Sequence, residues 1–408
     1  LFNSYVATVL PELGEENMLQ TTYAEYVKDR VGQAFNLEGP FEQMERFLDE
    51  ISDDSTRIDA IRYKAHLKFK ALIDQYVAFL EDRDLIFRDI TFQDRILFDA
   101  EKIKQYFYEL DHSISIPNRL ELVSGRLLEE LAEMEQLEQR RDWVTEEMEL
   151  LDKEDFLNAF QEMQHGQSSD EDTFDDFDRE WEILTKEIVR KHFQPIREQL
   201  KQLDVVDVKE NYRQLFEGWD GANEFPDNWS QICEETLQAM NRNELLWEDA
   251  TPYLYLQDRL QGRKTYRRIR HVFIDEAQDY SPFQLAYLQM LFPFCEMTLL
   301  GDINQAIYAH ALTSPSVLSH TDESESREKI TLTRSYRSTR PIVEFTKHLI
   351  QDGEMIDPFQ REGEKPVLTQ VADRKTLHKK VIEHMNEFQS EGYQTIAVIC
   401  KTMAESRK

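Results

Sequence analysis

Two short apolar runs, each ending in an acid and separated by one helix-length segment, constrain this chain more than any other feature. They lie in HVFIDEAQDYSPFQLAYLQMLFPFCEMTLLGDINQAIY, residues 271–308. Val272, Phe273 and Ile274 form a β-rich run that stops at Asp275 and Glu276. Ser281, Pro282 and Gln284 then give a helix start: an N-cap, a proline at the first helical position and a glutamine to close a capping box. Leu285, Leu288 and Phe292 recur on one face of that helix, and Met297 to Leu300 is a second apolar run, followed by Gly301 and Asp302. Strand, helix and strand in this order predict a parallel βαβ unit, because parallel strands need a crossover between them. In such sheets ligands collect at the carboxyl ends of the strands, where both acidic clusters fall. The expectation is the ligand side of an α/β domain that hydrolyses nucleotides.

The rest of the chain divides by texture. Residues 1–35 read as α/β: a helix ending near Pro11, a polar strand-like run from Met18 to Thr22, and a helix from Ala24. From Asn36 to about Asn243 the pattern becomes charged and helical. Ile58, Ile61, Ala65, Phe69, Leu72, Tyr76 and Phe79 keep helical spacing, and Leu120, Val123, Leu127, Leu131 and Met134 follow the alternation of an extended helical hairpin or short coiled coil. QHGQSSDEDTFDDFD at 164–178 is acidic and poor in apolar residues, and reads as a loop or tip. Helical segments resume at 179–203 and 228–246. The α/β texture returns from Trp247, and KPVLTQ (365–370), a helix over 375–389 and a run at 394–400 predict a further strand, helix and strand. These shifts predict four parts: 1–35 and 246–332 as one α/β domain, 36–245 as a helical acidic insertion, and 333–408 as the start of a second α/β domain.

With 40% apolar residues the chain folds rather than staying disordered. A formal net charge of −32 gives solubility, and also a surface that repels nucleic acid and suits a basic protein partner. Cys233, Cys295 and Cys400 have no metal-ligand spacing, which points to a reduced, cytoplasmic setting. No apolar run is long enough to span a bilayer. The chain opens at Leu1 inside what reads as a helix and closes at Lys408 just after an apolar run, so both ends are expected to be cuts through a larger protein.

Hydrolysis of a nucleoside triphosphate needs Mg2+ on the β and γ phosphates and a group that orients the attacking water. Asp275 is expected to serve the metal and Glu276 to act as base; a solvated turn is the plain alternative for an isolated Asp-Glu pair, and the apolar strand before it argues against that. Gln305, beyond Gly301 and Asp302, has an amide that can bond both water and a phosphate oxygen. In TLTRSYRSTRPI, Arg337 is a candidate phosphate clamp and Tyr336 a stacking face for a base; Arg334, Arg337 and Arg340 taken alone would more often be a basic surface patch.

Together DEAQD, GDINQAIY and LTRSYRS resemble motifs II, III and IV of the UvrD/Rep-like superfamily 1 helicases, in order and spacing, and QTTYAEY at 20–26 resembles their motif Ib. That resemblance implies a RecA-like motor domain interrupted by a large all-α insertion, plus the start of a second RecA-like domain. It also implies ATP and Mg2+ as cofactors. Asp275 would be the metal position, Glu276 the base, Gln305 the γ-phosphate sensor, Tyr336 the adenine stacker and Arg337 the γ-phosphate arginine, with Tyr308, Thr21 and Thr22 on the nucleic-acid path. Ala309, His310 and Ala311 depart from the residues many such helicases carry after that tyrosine, which counts against the ordinary DNA grip. LPELGEENMLQTTYAEY, LLWEDATPYLYLQDRL and the acidic insertion resemble the HelD family of helicase-like factors. That likeness implies RNA polymerase as partner and an ATP-driven role in remodelling or recycling it; a monomer is expected.

The phosphate cradle G-x-x-x-x-G-K-[ST] is absent: none of the 12 glycines is followed by lysine. The expectation is that the cradle lies before Leu1 and that these 408 residues alone turn over no ATP. Two other functions stay open, a 3′–5′ DNA helicase or translocase on single strands and a non-enzymatic binding module on a motor fold. The intact DEAQD, Gln305 and Arg337 argue against the second, and the acidic insertion argues against the first.

Overall fold

The structure, a computed structural model, describes residues 19–32, 34–50, 55–150, 175–219, 221, 225–262, 266–305, 328–350, 353–400 and 405. The chain separates into two compact units. One comprises residues 1–40, 55–270 and 282–295; the other comprises 41–54, 271–281 and 296–408. The expected helix near Pro11, the acidic run up to residue 174 and Tyr308 lie outside the described residues.

The first unit is helical and built round one continuous apolar core. Its long helices follow from apolar spacing. Ile116–Glu138, with Pro117 in its first turn, buries Leu120, Val123, Leu127 and Leu131. Asp175–Lys201 buries Leu184, Ile188, Phe193, Ile196 and Leu200. The two pack together, joined by the Ser124 hydroxyl donating to the Leu200 carbonyl at 2.6 Å and by a two-pronged Arg197–Glu135 pair at 2.6 and 2.5 Å. Near the far end of the first helix, Arg95 donates both terminal nitrogens to Glu138 at 2.9 Å each, and the Trp143 indole adds a third bond at 2.9 Å. Burial raises the Glu138 carboxyl, and the Arg95 and Trp143 bonds more than offset this, leaving it below the ordinary carboxylate range.

At the other end of the unit, the helix Trp247–Gln261 is buried on nearly every face, as befits an element surrounded by others. Asp249 on this helix, 1% exposed, holds the ammonium of Lys64 at 2.7 Å. Lys64 also donates to the Thr236 hydroxyl at 2.7 Å, and the Tyr212 hydroxyl donates to Asp249 at 2.6 Å. A fully buried ion pair therefore ties together four helices that are distant in sequence: Ser55–Ala65, Val208–Phe216, Trp229–Asn241 and Trp247–Gln261.

The helical stretch begins and ends at a single place. Asn36–Leu37 pairs in parallel with Glu244–Leu245, in register Asn36↔Glu244 and Leu37↔Leu245. The roughly two hundred residues between leave the chain and return to it one strand apart.

In the second unit, His271–Ile274 and Glu296–Leu299 form the expected parallel pair, in register His271↔Glu296 through Ile274↔Leu299. The second strand starts and stops one residue earlier than expected from Met297 to Leu300. Pro282–Leu291, the helix between them in sequence, belongs to the first unit. A second parallel pair joins Arg334–Ser335 to Asp357–Pro358.

Several expectations are corrected. Residues 19–22 form no strand; Thr22 caps the helix Tyr23–Val31 through a reciprocal capping box with Glu25, which commits the Thr22 N–H to the Glu25 carboxylate. The apolar series from Ile58 to Phe79 is helical as its spacing predicts, and falls on two helices, Ser55–Ala65 and Leu67–Asp82, because His66 takes an extended backbone and its ring accepts the Lys68 N–H. Residues 365–370 and 394–400 are not strands: neither is paired with a neighbour that could take its backbone bonds, and Val367, Leu368 and Ile399 stand 84%, 88% and 94% exposed. The helix between them, Arg374–Ser390, forms as expected, capped by Asp373 accepting the Thr376 N–H. Among the described residues the sheets of this α/β chain are four two-stranded pairs, so the architecture is helix-rich with small sheets. No described helix is long and apolar enough to cross a membrane.

Candidate nucleotide site

The site is built where the parallel pair His271–Ile274 and Glu296–Leu299 ends. Two backbone bonds carry the pairing past the strands: Leu300 N–H to the Ile274 carbonyl and Ala277 N–H to the Leu300 carbonyl, both 2.8 Å. Between them the chain turns sharply at Glu276, which adopts the left-handed conformation with φ 51° and ψ 42°. A non-glycine residue held there costs on the order of 1–3 kcal/mol, which the surrounding bonds must sustain. Glu276 N–H donates to the Asp275 carboxylate at 3.0 Å, and Ala277–Asp279 closes as a short 3-10 turn. Both carboxylates point out of the buried strand end: Asp275 and Glu276 are exposed, whereas Ile274 and Ala277 are buried.

The second strand end has the same construction. After exposed Gly301, the Asp302 carboxylate accepts the Asn304 N–H at 3.0 Å and the Gln305 amide at 2.9 Å. Gln305 N–H returns to the Asp302 carbonyl at 3.0 Å, winding Ile303–Gln305 into a 3-10 turn. Gln278 joins the two ends. Its amide nitrogen donates to the Glu276 carboxylate at 2.8 Å, and its amide oxygen accepts the Asp302 N–H at 3.0 Å. Gln278 is 2% exposed. Asp275, Glu276, Asp302 and Gln305, separated by up to thirty residues, therefore share one connected cluster.

Tyr336 and Arg337 stand on the other strand pair, just beyond Ser335, and both are exposed. The Tyr336 ring packs on Phe359 with centroids 4.9 Å apart and a 40° tilt. Arg334 pairs with Asp357 at 3.0 Å, and its guanidinium pKa is raised by hydrogen bonding to Tyr336 and then to Asp357. Arg361 donates to the Arg337 carbonyl at 3.1 Å, fixing the backbone that carries the Arg337 side chain.

Thr21 and Thr22 are exposed ahead of Tyr23–Val31. The Thr22 hydroxyl accepts the Glu25 N–H at 3.1 Å, and Thr22 N–H donates to the Glu25 carboxylate at 3.0 Å. The Thr22 backbone and then its hydroxyl hold the Glu25 carboxyl below its ordinary value. The Thr-x-x-Glu spacing of a capping box is legible in the sequence; the Gln278 bridge and the Phe359 support for Tyr336 are not.

A magnesium ion on nucleotide phosphates takes one or two carboxylates from the protein and fills its remaining positions with phosphate and water oxygens. The acidic oxygen donors at the strand ends fit that description. Asp275 is exposed and commits one oxygen to the Glu276 N–H. No group of three or more His, Cys, Asp or Glu that could hold a metal ion occurs among the described residues.

Parts of this chain are similar to proteins named as helicases. A protein of Acanthamoeba polyphaga mimivirus named "Putative ATP-dependent DNA helicase" is 30% identical over 143 residues, 34% of this chain and 20% of that protein. An ATP-dependent helicase/nuclease protein of Pediococcus pentosaceus is 29% identical over 132 residues, 29% of this chain and 11% of its own length. The ATP-dependent DNA helicase srs2 of Schizosaccharomyces pombe is 34% identical over 86 residues, 21% of this chain and 10% of its own. The chain thus matches a fifth or less of each relative. The profile of the UvrD/REP helicase N-terminal domain, a RecA-like fold, matches residues 98–325. That span is more than half of the chain, which belongs to the UvrD/REP helicase family.

Proposed function

We propose that the chain is part of an ATP-hydrolysing, helicase-like motor and supplies its water-activating and phosphate-sensing groups. The observation that carries this is the cluster in which Gln278 joins Glu276 at one strand end to Asp302 and Gln305 at the next. Bound to the β and γ phosphates, Mg2+ would neutralise their charge, with Asp275 among its protein contacts. Glu276 would orient water and accept its proton, and the Gln305 amide would bond a γ-phosphate oxygen. Tyr336 would stack on the base and Arg337 would bond phosphate oxygens. A cradle of the G-x-x-x-x-G-K-[ST] type is not among these 408 residues, so the chain by itself turns over no ATP. Glu276→Gln in the full-length protein tests the assignment: hydrolysis should fall at least 100-fold while ATP is still bound, and unimpaired turnover would sink it.

The names of the relatives favour DNA as the substrate, with Thr21, Thr22 and Tyr308 on its path. The net charge of −32 and the acidic run at 164–178 favour a second reading, in which the helical arm presses against a basic protein surface as a factor that remodels or recycles RNA polymerase. Capture of core RNA polymerase by the full-length protein, set beside its salt-dependent binding of single-stranded DNA, separates the two. The polymerase reading requires that neutralising Asp170, Glu171, Asp172, Asp175 and Asp176 weaken capture; the DNA reading requires single-strand affinity that falls steeply with salt. Residues 1–35 and 246–332 are assigned to the first motor domain, 36–245 to the arm and 333–408 to the start of the second; the pairing of residues 36–37 with 244–245 at the arm's base supports that division.

A further inference from the structure

Gln278 has no role in the chemistry set out above, yet it is the most constrained side chain at the site. It is 2% exposed and uses both ends of its amide, one on the Glu276 carboxylate and one on the Asp302 backbone N–H. Its orientation is forced. An ionised carboxylate only accepts and a backbone N–H only donates, so the nitrogen must face Glu276 and the oxygen Asp302. No other common side chain of this length satisfies both: ionised glutamate cannot donate, and lysine cannot accept.

The two partners differ in what they need. Glu276 sits on a left-handed residue with its carboxylate exposed, where without a tether that side chain would sample several rotamers. Asp302 begins the turn that carries Gln305, and its own carboxylate already grips the Gln305 amide at 2.9 Å. A shift at Asp302 N–H is therefore passed to Gln305 through one residue. Resting on the proposed nucleotide site, we propose that Gln278 is a positioning residue: it fixes the Glu276 carboxylate and couples its placement to that of the Asp302–Gln305 turn, so that the water-activating and phosphate-sensing groups move together.

The two halves of the amide can be separated experimentally in the full-length protein. Gln278→Met keeps length and removes both bonds. Gln278→Glu, assayed at a pH where it is ionised, keeps an acceptor for Asp302 N–H and replaces the donation to Glu276 by repulsion between two carboxylates. Three readouts are needed: the steady-state constants for ATP, the affinity for a fluorescent ATP analogue, and amide hydrogen exchange over residues 300–305. Gln278→Met should lower kcat by about 10–100-fold with KM and analogue affinity changed less than about 3-fold, since misplacement of a catalytic group by about 1 Å costs rates of this order. Exchange at Asp302 should quicken by more than tenfold. Gln278→Glu should lose kcat to a similar degree and keep Asp302 protected.

Unchanged kcat in both variants, or unchanged exchange at Asp302 in Gln278→Met, would overturn the proposal. So would a fall in analogue affinity as large as the fall in kcat, which would mark a general collapse of the site. The exchange readout needs no turnover. If Glu276→Gln hydrolyses ATP normally, the function reading fails; if Glu276→Gln is inactive while Gln278→Met is normal, only the coupling fails.

Discussion

Replacing Lys64 by methionine should be among the most destabilising single changes open to the helical unit. The ammonium and the Asp249 carboxylate are each 1% exposed at their side chains and 2.7 Å apart. Methionine fills most of the lysine volume, so little of the cost comes from a cavity; it comes from leaving a buried carboxylate with the Tyr212 hydroxyl as its remaining partner in this network. Removing one member of a buried pair costs about 3–5 kcal/mol. In a unit of this size that is a fall of roughly 6–20 °C in Tm.

The pH dependence gives a sharper signature. Burial raises the pKa of the Asp249 carboxyl, and Lys64 pulls against it. Without Lys64 the folded state gains most by keeping that carboxyl protonated. A group whose pKa is raised on folding contributes fully below its unfolded value, about 3.9 for aspartate, and loses that contribution as pH rises through the folded value. The cost of Lys64→Met should therefore be largest near pH 7.5 and shrink towards pH 5. Trp143, Trp219, Trp229 and Trp247 all pack against the core of this unit, so tryptophan fluorescence follows its unfolding directly. Lys64→Met combined with Asp249→Asn removes the stranded charge while keeping an acceptor for Tyr212, and should recover about half of the loss. A cost below about 1 kcal/mol at pH 7.5, or one independent of pH, would refute the reasoning.

Two further changes test other parts of the molecule. Glu138→Gln should cost about 1 kcal/mol at neutral pH, a figure discounted because Arg95 is 41% exposed. Since the Glu138 carboxyl titrates below its ordinary range, its contribution is present above the unfolded value near 4.3 and disappears as pH falls through the folded value, so the variant should lose stability less steeply under acid in thermal melts. Tyr336→Ala in the full-length protein should weaken binding of an adenine nucleotide about fivefold or more, while Tyr336→Phe retains it, because stacking needs the ring and not the hydroxyl. Equal losses in both variants, measured by fluorescence titration, would remove Tyr336 from the base.

Much of the second unit's site is legible in the chain because an apolar run stops directly at Asp275 in the first strand and, after Leu300 and Gly301, at Asp302 beyond the second. The parallel pair and the exposed carboxylates both follow from that boundary. What joins them does not. Gln278 and Asp302 are far apart in sequence, and their bond depends on the register of two strands, which alternation of apolar residues fixes only to within a residue; here the second strand stops one residue early. The break at His66 is hidden for a different reason: apolar spacing on both sides continues in phase, and only the extended backbone of one residue interrupts it. At 365–370 and 394–400, β-rich composition points to strands, yet composition cannot supply the neighbour whose backbone a strand must bond.

The pairing of Asn36–Leu37 with Glu244–Leu245 has a consequence for the order in which the molecule is made. A ribosome adding about 5–20 residues each second needs roughly 10–40 s to pass from one strand to its partner. During that interval the earlier strand has nothing to pair with, while the local helices between can already collapse. The helical excursion should thus be the first part to gain structure, and the segment carrying Thr21 and Thr22 among the last to be fastened in place. A nascent chain stalled before residue 244 should expose residues 19–37 to protease, and of the helices it should protect first the pair Ile116–Glu138 and Asp175–Lys201, whose mutual bonds need nothing beyond residue 201.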